Sequence, residues 1–240
     1  MLKFNQINKA FGKRAVIKDL NYSFDANKIY ALMGANGSGK TTLFNLIGGF
    51  LKIDSGTITF KNQDISQRSP YRIAQAGIAR TFQNLRIMPS LSVTDNIYLA
   101  FKNKPDEKIT QAFLRNSSYH GYKEKIDAIV TETHLNEVKN TLAGNISYGQ
   151  QKLLTLAIAM ANDFDLLLLD EPVAGVQIEY RKQISKLLRA MHKTIILIEH
   201  NAEFIENLTD HVLFLNKGHI IAEGNYQQIK DNPEVQEAYL

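Results

Sequence analysis

Residues 34–42 read GANGSGKTT, a glycine-rich stretch whose residue types suit the binding of a phosphate group. It matches the pattern G-x-x-x-x-G-K-[ST] through Gly34, Gly39, Lys40 and Thr41. Glycines let the main chain turn its N–H groups towards phosphate oxygens, and a helix that follows adds the positive end of its dipole. We expect Lys40 to reach the β- and γ-phosphates and the Thr41 hydroxyl to ligate Mg²⁺. The other predicted loop residues that contact the nucleotide are Asn36, Gly37, Ser38 and Thr42.

The segments that flank this stretch favour the phosphate-loop interpretation over a glycine turn without a ligand. Lys28–Met33 (KIYALM) is a short strand-like run that ends at the loop. After the loop, apolar residues recur at the i, i+3, i+4, i+7 spacing of a helix face, namely Leu43, Leu46, Ile47 and Phe50. Strand, loop and helix in this order predict a nucleotide site.

Two adjacent acids, Asp170 and Glu171, follow the apolar block Asp165–Asp170 (DLLLLD). A block of this kind is typical of a strand buried on both faces of a parallel sheet, and ligands bind beyond the carboxyl ends of such strands. We expect Asp170 to hold Mg²⁺ and Glu171 to polarise the water that attacks the γ-phosphate. The alternative is two solvated acids at a strand-to-turn boundary before Pro172.

A second apolar block, Thr194–Glu199 (TIILIE), ends next to His200. A neutral imidazole at this position can donate to the γ-phosphate or hold the water, although a hydrogen-bonded histidine at a strand end is the alternative. Gln83, in ARTFQN, follows a plausible strand, and its amide could contact Mg²⁺ or the water. A single glutamine does not by itself indicate a metal or nucleotide site.

Residues 146–150 read ISYGQ and lead directly into an apolar-faced helix. The Ser147 hydroxyl and the exposed N–H groups near Gly149 and Gln150 form a second anion-ready helix start. An ordinary N-cap is the alternative for a lone serine of this kind. Because the chain already has one phosphate loop, the second site is best explained as serving a nucleotide that is bound elsewhere.

The remaining pattern predicts an α/β architecture. Period-2 alternation at Leu2 and Phe4, and again from Leu20 to Phe24, predicts half-buried strands near the start. Helical spacing between the two apolar blocks predicts a βαβ crossover, through Ile184, Leu187, Leu188 and Met191. From about Gln83 to Thr155 the chain is richer in helix formers and charge, which predicts a helical insert.

Composition limits the function classes. The chain of 240 residues has no cysteine, which excludes disulfides, thiolate nucleophiles and Cys-ligated metals. Its net charge of +4 selects no class of partner. The longest nearly apolar run, Leu153 to Ala161, is about half of what spans a bilayer. We therefore expect no signal peptide and no transmembrane segment, so that any membrane role requires a partner.

Taken together, GANGSGKTT, Gln83, ISYGQ, LLLLDEP and His200 resemble ATP-binding cassette (ABC) ATPase subunits in order and spacing, over essentially the whole chain. The resemblance implies a P-loop NTPase (RecA-like) parallel-sheet core with an N-terminal antiparallel β part and a helical insert. It implies one ABC ATPase domain, with residues 1–82 and 156–240 as the nucleotide-binding core and about 83–155 as the helical subdomain.

The same resemblance implies ATP hydrolysis with ATP and Mg²⁺ at a head-to-tail dimer. The signature loop, Ser147 to Gln150, of one subunit would cover the γ-phosphate that the other subunit holds. Thr41, Gln83 and Asp170 would ligate the metal, and Lys40, Gln83, Glu171 and His200 would serve catalysis. Phe11, in KAFGK, is similar to the aromatic residue that stacks on adenine; a core phenylalanine is the alternative.

Three stretches, ARTFQNLRIMPSLSVTDNI, SYGQQ and the tail GHIIAEGN…NPEVQEAYL, resemble more narrowly the ATPase subunits of branched-chain amino-acid importers. The implied partners are a second ATPase subunit, identical or a close paralogue, and an integral membrane permease, with no nucleic acid. The implied location is cytoplasmic, on the inner face of the cell membrane. Ile146 stands where the family usually has leucine, and Gln177 stands where it commonly has Asp or Asn. The strength of the coupling between the two nucleotide sites is left open by Gln177. The charged segment after Ala100 is short for the family.

The alternatives are ATPases for lipopolysaccharide export or urea import, a soluble ABC ATPase, and a nucleotide-gated module with negligible hydrolysis. A soluble ABC ATPase usually carries two cassettes or a long coiled coil. Intact Lys40, Glu171 and His200 argue against the non-hydrolysing module. Neither the cargo nor the direction of transport can be read from this chain.

Overall fold

The computed structural model describes residues 1–101 and 115–239, with side-chain surroundings for 1–101 and 121–238. The chain divides into two compact units. Unit 1 comprises Met1–Arg80, Phe164–Ala174 and Leu188–Leu240, and unit 2 comprises Thr81–Asp163 and Gly175–Leu187. The charged run from Lys102 to Lys108 lies outside the described residues. The division into a nucleotide-binding core and a helical subdomain at 83–155 remains a prediction.

The strands of the described residues all belong to unit 1. They are β1 (Leu2–Phe11), β2 (Arg14–Phe24), β3 (Ile29–Met33), β4 (Ser55–Phe60), β5 (Gln63–Asp64), β6 (Ile78–Arg80), β7 (Leu166–Asp170), β8 (Thr194–Ile198), β9 (His211–Asn216) and β10 (His219–Gly224). The helices of the described residues are α1 (Lys40–Ile47), α2 (Pro70–Gln75), α3 (Val93–Ala100), α4 (Arg115–Glu132), α5 (Tyr148–Met160), α6 (Ile178–Ala190), α7 (Ala202–Leu208), α8 (Tyr226–Lys230) and α9 (Pro233–Tyr239).

Unit 1 contains a six-stranded sheet in the order β10-β9-β3-β8-β7-β6. Its strands pair in parallel from β9 to β6, and β10 pairs antiparallel to β9. All five residues of each of β3, β7 and β8 are buried, as central strands covered on both faces require. The predicted strands at the two apolar blocks and before the phosphate loop are therefore confirmed.

A second, antiparallel sheet of unit 1 has the order β2-β1-β4-β5. Its inward residues, among them Leu2, Phe4 and Phe24, share one apolar core with Leu168 of the parallel sheet and Leu43 of α1. The predicted early strands and the predicted α/β class with an N-terminal antiparallel part are confirmed. This shared core fixes α1, and with it the loop that precedes α1.

Two helices end before the last residue of the apolar face that the sequence predicts for them. Helix α1 ends at Ile47, because Gly48 follows and Gly49 adopts φ 72, a left-handed conformation that suits glycine. Phe50 therefore lies outside the helix and is 46% exposed. Helix α6 ends at Ala190, so Met191 lies one residue beyond it.

Unit 2 is helical through α3, α4 and α5, with a 3-10 turn at Asn136–Val138. These helices pack through buried apolar residues, including Ile97, Val130 and Leu154. Helix α5 extends to Met160, five residues past the predicted end of the insert. No helix of the described residues is both long and apolar enough to cross a membrane.

Candidate functional site

The phosphate loop of unit 1 connects β3 to α1. Gly34, Gly37 and Gly39 adopt φ values of 146, 78 and 115, which favour glycine over residues with a Cβ. At Gly34 a Cβ would overlap the main-chain oxygen of Leu215 and would lie 2.8 Å from Ser38 Oγ. Because the neighbouring main chain leaves no room for a side chain, the loop keeps its shape only with glycine at position 34.

Lys40 is the first residue of α1 and is buried within this loop. Its Nζ donates to the oxygens of Gly34 at 2.7 Å and Ala35 at 3.0 Å. Burial lowers the Lys40 pKa, whereas the negative charges of Glu171 and Asp170 act to raise it. Burial is the largest of these influences, so the net effect is a lowered pKa, and an oxyanion bound in the loop would add to the stabilisation that the two carboxylates give the ammonium.

The side chain of Ser38 gives a second sign that the loop fits a ligand. Its Oγ is buried and has no hydrogen-bond partner among the described residues. A buried hydroxyl without a partner costs free energy, and a bound oxyanion would accept its hydrogen bond. An ammonium has three donors, and two of the Lys40 donors are engaged by main-chain oxygens. The loop thus has spare donors for phosphate oxygens.

The two acids lie at the carboxyl end of β7, as the sequence predicts. Asp170 is buried, and its Oδ2 lies 3.7 Å from Nη2 of Arg80, which ends the neighbouring strand β6. Glu171 has φ 50, a left-handed conformation that is unusual for a glutamate. Its N–H donates to the oxygen of Ile198 in β8 at 2.9 Å. Main-chain strain of this type is common at functional sites.

His200 follows β8 and faces the second acid. Its Nε2 lies 3.9 Å from Glu171 Oε1. The preceding residue, Glu199, is buried and accepts three main-chain hydrogen bonds, from Val173 N at 3.0 Å, His200 N at 2.7 Å and Asn201 N at 3.0 Å. One carboxylate thereby joins the turn after β7 to the turn after β8.

The predicted signature residues lie in unit 2, at the start of α5. Ser147 is the N-cap, and its Oγ accepts a hydrogen bond from Gln150 N at 3.3 Å while its N–H donates to Gln150 Oε1 at 2.9 Å. This reciprocal pair is a capping box. The N-cap geometry is present, and binding of an anion by the same turn remains a prediction. Ile146 is buried before this turn.

Two further predicted residues are exposed. Phe11 ends β1 and is 49% exposed, with Lys9 Nζ 5.7 Å from its ring centroid. The alternative that Phe11 is a core residue is wrong, and its role under adenine remains a prediction. Gln83 belongs to unit 2 and lies between β6 and α3, in a segment without regular structure.

Unit 1 therefore brings together Lys40, Asp170, Glu171 and His200, and unit 2 holds Gln83 and the Ser147 turn. Sequence reasoning missed Arg80 and Glu199, although each is a charged residue beside an apolar run. It also missed Tyr180, which the sequence shows only as one polar residue of a helix.

No cluster of three or more His, Cys, Asp or Glu residues suited to a metal occurs in the part of the chain that the structure describes. A Mg²⁺ ion held by hydroxyl, carboxylate and phosphate oxygens requires no such cluster.

Comparison with known proteins agrees with this geometry. The ABC transporter family model matches residues 17–174, and a model for the branched-chain amino acid ATP-binding cassette transporter matches residues 219–240. The chain is 33% identical to the high-affinity branched-chain amino acid transport ATP-binding protein LivG of Escherichia coli K12. The alignment covers 100% of this chain and 97% of that protein. It is 30% identical, with the same coverage, to the BraF protein of the same description from Pseudomonas aeruginosa.

Solved structures show the same likeness. A nucleotide-free ATP-binding cassette from an ABC transporter superposes with a TM-score of 0.85 at 29% identity, covering 100% of this chain and 98% of that one. The ADP conformation of an ATP-binding cassette of an ABC transporter gives a TM-score of 0.85 at 31% identity with the same coverage.

Proposed function

This chain belongs to the ABC transporter family as an ATP-binding, ATP-hydrolysing subunit of the branched-chain amino-acid type, and we propose that two copies share two ATP molecules. The observation that carries the nucleotide site of each copy is the placing, within unit 1, of the buried Lys40 ammonium inside the glycine loop and of Asp170 and Glu171 at the end of β7. A cation inside a glycine loop, with two carboxylates nearby, suits a triphosphate and its counterion. His200 beside Glu171 completes the group.

In the proposed reaction, water attacks the γ-phosphorus, the bond from that phosphorus to the bridging oxygen breaks, and ADP leaves with the bond's electron pair. Glu171 takes the proton of the attacking water, and His200 holds the water or the γ-phosphate. Lys40 and the N–H groups of the loop stabilise the negative charge on the phosphoryl oxygens. Positioning and charge supply most of the rate enhancement in phosphoryl transfer.

The residues proposed to hold Mg²⁺ are Thr41, Asp170 and Gln83. The donor set fits, because hydroxyl, carboxylate and amide oxygens are ligands that Mg²⁺ accepts. Bound there, Mg²⁺ would neutralise phosphate charge. Arg80 Nη2 lies 3.7 Å from Asp170 Oδ2, so the guanidinium partly compensates the charge of this carboxylate in its buried position.

The second copy supplies the signature turn. Ser147 and the first N–H groups of α5 are helix-start donors, and they would bind the γ-phosphate held by the partner's loop. Asn36, Gly37, Ser38 and Thr42 would complete the phosphate contacts, and the exposed ring of Phe11 would stack on adenine. Gly149 and Gln150 belong to the same signature turn.

The proposed partner outside the ATPase pair is an integral membrane permease at the inner face of the cell membrane, and the proposed cargo is a branched-chain amino acid. Support comes from the relatives described as branched-chain amino acid transport proteins and from the matching tail model. Closure of the ATPase pair on ATP, and its reopening after hydrolysis, would drive the permease.

Turnover of purified protein and size-exclusion chromatography test the shared-site proposal. We expect Ser147→Ala to lower ATP turnover, and we expect the hydrolysis-deficient Glu171→Gln chain to dimerise at saturating Mg-ATP. A Glu171→Gln chain that stays monomeric, or full turnover of Ser147→Ala, contradicts the proposal. Co-purification with a multi-span membrane protein tests the transporter role separately.

A further inference from the structure

Tyr180, in the first turn of α6, contacts the start of α5 within unit 2. The Ser147 hydroxyl donates to the Tyr180 phenol oxygen at 3.2 Å. The Tyr180 ring also lies against Gly149, where an added Cβ would come 2.5 Å from Cγ and 2.8 Å from Cε2 of the ring. One side chain therefore contacts both the N-cap serine and the glycine two residues after it.

These contacts determine how the serine hydroxyl is held. Ser147 Oγ accepts from Gln150 N, and its single proton is directed to Tyr180. A tyrosine hydroxyl can donate as well as accept, so it can reverse this hydrogen bond without movement of either oxygen. Ser147 Oγ would then accept hydrogen bonds from both Gln150 N and the Tyr180 hydroxyl. Its own O–H could then donate a hydrogen bond to a third group. Hydrogen bonds arranged in such a chain strengthen one another.

We propose that Tyr180 is a positioning residue for Ser147. It orients the serine hydroxyl so that this group can donate a hydrogen bond to the γ-phosphate bound by a second copy. The inference rests on the proposed function of the signature turn. Tyr180 acts through Ser147 and does not itself touch the nucleotide. Its ring can lie against the start of α5 because only glycine at position 149 lets the aromatic ring approach so closely.

A double-mutant cycle separates this role from a merely structural one. Tyr180→Phe keeps the ring against Gly149 and removes only the hydroxyl. We expect this variant to lower ATP turnover, and to raise the Mg-ATP concentration needed to dimerise the Glu171→Gln chain, by about two- to tenfold, the range for one hydrogen bond. In a Ser147→Ala background the same substitution should have no further effect.

The matched control is Tyr71→Phe, since the exposed Tyr71 hydroxyl also accepts one side-chain hydrogen bond, from Gln75 at 2.9 Å. It should leave both measurements unchanged. An equal effect of Tyr180→Phe with and without Ser147, or no effect at all, overturns the positioning role and leaves the proposed function intact. Full turnover of Ser147→Ala overturns both.

The ring contact has a test that needs no activity. Gly149→Ala should lower the melting temperature because its methyl group overlaps the Tyr180 ring, and Tyr180→Ala should restore part of the loss. The ring contact is refuted if Gly149→Ala lowers the melting temperature equally in both backgrounds.

Discussion

Glu171 and His200 face each other at the ends of two paired parallel strands, with Nε2 of the imidazole 3.9 Å from Oε1 of the carboxylate. The distance is too long for a direct hydrogen bond between the two side chains. Glu171 is also held in a left-handed main-chain conformation by its N–H bond to Ile198. The proposed base is therefore held in one main-chain conformation, with an imidazole beside it.

Glu171→Gln tests this base. The amide keeps the shape of the side chain but cannot take a proton, so we expect turnover to fall ~10²–10⁴-fold while nucleotide affinity is kept. Steady-state ATP hydrolysis and calorimetric titration with nucleotide measure the two effects. Glu206→Gln, at an exposed position of α7, is the control and should match the parent. Unchanged turnover of Glu171→Gln would show that another group is the base.

Gly34→Ala tests the phosphate loop. The methyl group would overlap the oxygen of Leu215 in a left-handed main-chain conformation, so we expect a loss of about 3 kcal/mol in the free energy of unfolding. Nucleotide affinity should fall as well. Gly12→Ala is the matched control: Gly12 has φ 59 but no atom within 4 Å of its added Cβ, so about 1 kcal/mol is expected. Equal losses in urea denaturation would mean that crowding at position 34 has no effect.

Arg80→Leu tests the guanidinium beside Asp170. Arg80 also donates to Asn45 Oδ1 at 2.7 Å, and its guanidinium lies 5.7 and 5.4 Å from the ring centroids of Phe44 and Phe50. Removal of one partner of a buried ion pair leaves the other charge poorly compensated, so we expect a loss of about 3 kcal/mol in the free energy of unfolding.

The control for Arg80 is Arg72→Leu, at an exposed position of α2, which should change the free energy of unfolding by less than about 0.5 kcal/mol. Urea denaturation measures both variants. If Arg80→Leu is as stable as Arg72→Leu, the ion pair with Asp170 makes no net contribution to stability.

Glu199→Gln tests the link between the turns after β7 and β8. The carboxylate accepts from Val173, His200 and Asn201, whereas an amide has one acceptor oxygen and turns its NH₂ group towards at least one main-chain N–H. We expect a loss of about 1–3 kcal/mol in the free energy of unfolding, with reduced turnover because His200 is less well fixed. Glu203→Gln, exposed on α7, should retain parental stability and turnover. Parental values for Glu199→Gln as well would indicate that the three bonds are dispensable.

Much of unit 1 could be predicted from the sequence because its signals are local. The all-apolar runs of β7 and β8 and the glycine-rich loop before Lys40 each restrict their own main chain strongly. The predicted helix faces failed at Phe50 and Met191 because helix ends depend on local stop signals, such as Gly49, that apolar spacing does not contain.

The sequence by itself determined the residue types, their order and hence the family, because a phosphate loop, two acids after an apolar strand and a serine–glycine helix start are contiguous patterns. Only the tertiary structure decided which distant residues meet. Arg80 lies beside Asp170, Glu199 links two turns, and Tyr180 lies against Gly149 and Ser147. Such contacts depend on strand order and helix packing, which arise when separate segments bury a shared core, so no local pattern specifies them.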